Sequence, residues 1–177
     1  MKKCSYEISI HVEQSVVKVD VDRLREAIGS ILAEASIVSA EISLAIVDDP
    51  TLHGLNRKYL DHDNPTDVLS FVLEHDAGHL IGEIIVSAET ATAVAGDYGW
   101  DATSELLLYV IHGALHLVGY DDATRDAAEE MRHQETHYLQ QLGVSRRVNE
   151  AAAQAHTVQT LTSRMIREGV ARGERLS

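Results

Sequence analysis

The segment HGALHLVGYDD, residues 112–122, sets His112 and His116 four residues apart, follows them with Gly119, and ends in Asp121 and Asp122. On a helix, positions i and i+4 lie on one face, so both imidazoles can address one cation. Gly119, just past the last apolar residue, suits a left-handed C-terminal cap. The turn it makes brings Asp122, or its rival Asp121, back toward the same ion. Two histidines and one carboxylate leave a fourth position for water, which is how a catalytic zinc site differs from a structural one. The same residues also admit a plainer account, with two buried histidines satisfied by hydrogen bonds and Asp122 as the N-cap of a helix starting at Ala123. Against it stands the cost of dehydrating two imidazoles in an otherwise apolar helix without a strong partner.

The elements that must position these residues follow from periodicity. SYEISIHV (5–12) alternates as a strand, and Asp20 caps a helix with Leu24, Ala27, Ile28, Ile31 and Leu32 on one stripe. EISLAIVDD (41–49) is a second strand, and Asp49 before Pro50 has the cap-then-proline order that starts a helix. DVLSFVLE (67–74) and HLIGEIIVSA (79–88), separated by the short HDAG, form an antiparallel hairpin. Ser87 caps a helix reaching about Tyr98. Asp101 or Thr103 starts the apolar helix LLLYVIHGALHLV, and residues 123–142 make an amphipathic helix. The expected fold is α+β, a small mixed four-stranded sheet packed with helices, whose central apolar helix carries the metal site. Residues 1–145 form a single domain and residues 146–177 a C-terminal helical extension.

Composition narrows the function. With one cysteine, Cys4, there is no intrachain disulfide and no all-cysteine zinc site, which fits a reducing, cytoplasmic location. No unbroken apolar run suits a signal peptide or a membrane-spanning helix. The net charge of -13 opposes indiscriminate binding to nucleic acid. Residues 1–145 hold 9 Lys+Arg against 25 Asp+Glu, whereas residues 146–177 hold 6 against 3, so the tail alone is basic. His62, His75, His79, His133 and His137 are scattered over loops and exposed helix faces and read as surface histidines.

The spacing H-x-x-x-H-x-x-G-x-x-D is similar to the helix and turn of the metzincin peptidases, in which a glutamate after the first histidine acts as general base. Here that residue is Gly113, so peptide hydrolysis lacks its base. More fully, the sequence resembles the YbeY family, metal-dependent endoribonucleases of ribosomal RNA maturation. Ten of the eleven positions of the family pattern H-G-x-L-H-L-x-G-Y-D-H accept HGALHLVGYDD, and LNRKYLDHDNPTDVLSF (55–71) and IGEIIVS (81–87) extend the likeness.

The resemblance implies one zinc ion per chain on His112, His116 and Asp122, with Asp121 behind them orienting a histidine. It implies cleavage of single-stranded ribosomal RNA on the small ribosomal subunit, in 3′-end maturation and quality control. Two residues depart from the pattern. Asp122 replaces a third histidine, an acceptable oxygen ligand that offsets part of the cation's charge. Leu60 replaces the arginine that would contact phosphate, which leaves Arg57, with Lys58, as the nearest candidate. The TDVLSF strand, with Asp67 and Ser70, is expected to wall the metal helix. A ribosome-assembly binding factor with a structural or vestigial metal, and a metal-dependent hydrolase of a non-RNA substrate, are the competing functions.

Overall fold

The computed structural model describes residues 4–61, 66–145 and 160–163. Strand β1 (Ser5–Val12) is followed by helix α1 (Val21–Glu34), strand β2 (Ser39–Val47) and helix α2 (Asp49–Leu60). Strands β3 (Val68–Asp76) and β4 (His79–Ser87) come next, then helices α3 (Ala88–Ala95), α4 (Ala102–Leu117) and α5 (Arg125–Gln141), and strand β5 (Thr160–Ser163). The sheet order is β1-β2-β4-β3-β5. β1 and β2 pair in parallel through the α1 crossover, β2 and β4 are parallel, and β3 and β4 are antiparallel. The hairpin turn is Ala77-Gly78, both with positive φ, the backbone that a tight two-residue connection between twisted strands requires.

The expected mixed sheet is present but gains a fifth strand. Within the tail, expected to be helical, residues 160–163 are instead extended and pair in parallel with β3. The run Thr-Leu-Thr-Ser is rich in residues that favour strands, and the open edge of β3 offers the ladder. The rest of that expected helical extension, and His62, lie outside the described residues.

The sheet divides two cores. One face carries Ile42, Leu44, Ile46, Leu80, Ile84 and Val86 against α1, α4 and α5, and the five α1 stripe residues are all buried there. The other face carries Val47, Leu69, Phe71 and Ile85 against Leu52, with Leu55 and Leu60 packed beside them, all three from α2. α4 is buried at every residue from Ser104 to Leu117, which accounts for its apolar character on all faces.

Gly113 allows α4 to lie close to the sheet. A Cβ there would stand 2.7 Å from Ile84 Cγ2 and 3.0 Å from Ser70 Oγ, and that hydroxyl donates to the Gly113 carbonyl at 3.2 Å. Gly113→Ala is therefore expected to destabilise the protein by about 1–3 kcal/mol through overpacking. Chemical denaturation, read as a lower midpoint at unchanged slope, checks it.

The cap of α2 falls one residue earlier than the Asp49–Pro50 order implies. Asp48 has extended backbone and accepts from the Thr51 N–H at 2.9 Å. Asp49 is instead taken up by α3: its carboxylate accepts from the hydroxyls of Ser87 and Thr90, while its own N–H donates to Glu89 at 2.9 Å.

Candidate metal centre

His112 and His116 face one another from successive turns at the C-terminal end of α4, both buried. Their Nε2 atoms are 3.0 Å apart. Behind His112, the Nδ1 lies 2.5 Å from Glu135 Oε1, and behind His116, the Nδ1 lies 3.0 Å from the Tyr120 carbonyl. A carboxylate and a carbonyl only accept, so each Nδ1 must carry the proton. With both rings singly protonated, the two Nε2 atoms would present lone pairs to each other, an arrangement that repels unless a cation lies between them. The tautomers are assigned from these partners.

Asp122 completes the group. Its carboxylate oxygens lie 3.7 Å from His112 Nε2 and 3.8 Å from His116 Nε2, and the three ligand atoms all fall within 4.8 Å of one another. Gly119, at φ 106°, makes the reversal that brings Asp122 back, and the Tyr120 N–H closes the turn on the Leu115 carbonyl. The alternative of Asp122 as a helix cap does not hold. The N-cap of α5 is Thr124, whose hydroxyl accepts from the Ala127 N–H at 3.2 Å.

The electrostatics favour a bound cation. Burial, reinforced by the neighbouring His112, pushes the His116 imidazole down to about 4, so the ring is neutral at physiological pH and its Nε2 is a free donor. Burial likewise raises the Asp122 carboxyl above its ordinary value, against the pull of His112. A partly buried carboxylate beside the neutral His116 ring is a favourable place for a divalent ion, which would supply counter-charge. This donor set, two nitrogens and one oxygen, suits zinc or a similar transition metal.

Sequence reasoning missed Glu135. It sits on α5, an otherwise amphipathic helix, and is 6% exposed, opposite His112. A charged residue on the apolar stripe, four positions after Met131 and four before Leu139, was the available signal. Asp121, expected to orient a histidine, does something else: its exposed carboxylate accepts from the N–H groups of Asp122 and Ala123 at 2.8 and 3.3 Å. It shapes the turn that presents Asp122, while Glu135 holds the ring. Arg57 is not drawn into the group. It is exposed on α2, whose buried residues pack on the face of the sheet away from α4. Ser70 does face α4, whereas Leu69 and Phe71 point to the α2 side. Leu60 packs into the α2 core.

A family model described as Endoribonuclease YbeY matches residues 9–143. The protein of that name from Desulfitobacterium hafniense is 44% identical over 117 residues, covering 60% of this chain and 74% of the relative. The one from Desulforamulus reducens is 35% identical over 145 residues, covering 77% and 93%. The solution structure of TM1509 from Thermotoga maritima superposes with a TM-score of 0.53 at 26% identity, covering 76% of this chain and 90% of that one.

Proposed function

Because the chain belongs to the YbeY family of endoribonucleases, we propose that it cuts single-stranded ribosomal RNA at the His112–His116–Asp122 group, with one zinc ion as the resident metal. The observation that carries this reading is the pair of Nε2 atoms 3.0 Å apart, with acceptors behind both Nδ1 atoms and the Asp122 carboxylate alongside. When bound, the cation polarises a phosphoryl oxygen and lowers the pKa of a water molecule.

The chain's own residues do the rest. Glu135 and the Tyr120 carbonyl hold the two imidazole protons on Nδ1, which fixes ring orientation and raises the basicity of Nε2. Asp122, placed by the Gly119 turn and the Asp121 carboxylate, adds the anionic oxygen. Position 113 faces the sheet, so a base at the metzincin position has no place here without displacing Ile84 or Ser70. This metzincin-like centre therefore works without the peptidase's glutamate. Arg57 and Lys58, exposed on α2, are the phosphate contacts of the substrate strand, and Tyr59, 48% exposed beside them, offers a ring on which an unpaired base can stack.

An acidic body carries no broad basic surface for a duplex, which favours single strands delivered by a ribosomal particle. The small subunit and the cytoplasm are the setting this reading implies. Among the described residues no helix is long and apolar enough to cross a membrane. Purified protein incubated with the same ribosomal RNA segment, single-stranded or annealed to its complement, is expected to cut the first at least about tenfold faster. Equal rates on both would remove strand selectivity from the proposal.

A further inference from the structure

β1 forms one margin of the sheet, and among the described residues nothing pairs with its outer edge. The strand, SYEISIHV, holds no proline, glycine or lysine, and its register with β2 is unbroken along its length. It therefore lacks the devices that commonly blunt an exposed edge. The direction of its backbone groups is fixed at both ends. The Ser5 N–H donates to the Val38 carbonyl and the Glu13 N–H to the Ile46 carbonyl. Because alternate residues of a strand bond to opposite sides, Ser5, Glu7, Ser9 and His11 address β2. The N–H and C=O groups of Tyr6, Ile8, Ile10 and Val12 face outward.

We propose that this edge is a self-association surface, on which β1 of a second copy of the chain pairs antiparallel about a two-fold axis at Ser9. What selects a second copy is that the strand is complementary to itself in one register. With Ser9 opposite Ser9, Ile8 stands opposite Ile10 and Tyr6 opposite Val12. All four have outward backbone groups, so each pair exchanges two hydrogen bonds. Between them Glu7 stands opposite His11, twice by symmetry, in the closely spaced pairs whose side chains approach most. A shift of one residue sets outward groups opposite inward ones and forfeits the bonds. A shift of two either sets Glu7 opposite Glu13 or leaves Glu7 and His11 both opposite serines. Glu7 gains most, since its neighbour within the chain is Glu41, a like charge, while His11 stands beside Ala45. Val12, 42% exposed, is covered by Tyr6 of the second copy. The contact is isologous and closes at two copies, leaving neither β1 edge open. It is also small, so a dissociation constant on the order of tens of micromolar is expected.

The test is sedimentation of the full chain across a range of concentrations, in which the wild type is expected to pass from monomer to dimer. Val12→Pro is expected to stay folded and monomeric, since proline there removes only an outward donor. Glu7→Lys and His11→Glu are each expected to weaken the dimer about fivefold, and the two together to restore it, the charges then being exchanged across the axis. For the register, Ser9→Cys and Ser5→Cys are compared in a Cys4→Ser background with oxidised glutathione. The first is expected to form a covalent dimer at least about tenfold faster. At Ser9 the two Cα atoms stand about 4.5 Å apart, within disulfide reach, and at Ser5 roughly 27 Å apart. A wild type that stays monomeric up to about 1 mM would overturn the proposal. So would a Val12→Pro variant that dimerises as the wild type does, a charge-exchanged double variant no tighter than the single ones, or equal cross-linking at positions 5 and 9.

Discussion

His116→Ala is expected to abolish most metal binding and to slow RNA cleavage by about a hundredfold or more, while leaving a folded protein. The ring contributes one of two nitrogen donors, and its Nδ1 partner is a backbone carbonyl next to a partly exposed turn that water can satisfy. His112→Ala is expected to lose metal equally but to be much less stable. It strands the buried Glu135 carboxylate, and breaking a buried charged contact by removing one partner costs about 3–5 kcal/mol. Metal content and thermal melting, measured on both variants together, separate the two effects. Equal melting temperatures would mean that Glu135 has another partner, and full metal content in either would remove that histidine from the group.

Asp122 gives the second large effect. Thr124 already caps α5, so Asp122→Asn is expected to leave stability nearly unchanged and to weaken metal binding by about tenfold or more, a neutral amide being a poor replacement for a charged oxygen. Asp122→His is expected to retain the metal, since an imidazole is a better nitrogen ligand for zinc. Calorimetric titration of the metal-free variants ranks them. The opposite ranking, with asparagine neutral and histidine harmful, would assign the third ligand to Asp121 or to water.

What the sequence revealed and what it hid have separate physical causes. The two histidines, the Gly119 reversal and Asp122 were legible because they depend on helical period and local turn chemistry within eleven residues. The strands and the α1 stripe were legible for the same reason. Glu135 was not, because its meaning lies in a contact across 23 residues between helices, where periodicity is silent. The α2 cap was misplaced by one residue because two adjacent aspartates offer equal capping oxygens and only the α3 partners of Asp49 decide between them. β5 escaped because the sequence around it is helix-like in composition, and a four-residue strand at an edge is selected by its neighbour β3 rather than by its own pattern.

On the proposed function, a divalent cation held by His112, His116 and Asp122 would drive cleavage of RNA. Its most direct test is metal analysis of the purified protein coupled to cleavage of a single-stranded ribosomal RNA segment before chelation, after chelation and after adding zinc back. The expected result is about one ion per chain, loss of cleavage with the ion, and recovery on restoring it in the wild type but not in His116→Ala. Undiminished cleavage by the fully chelated protein would contradict it.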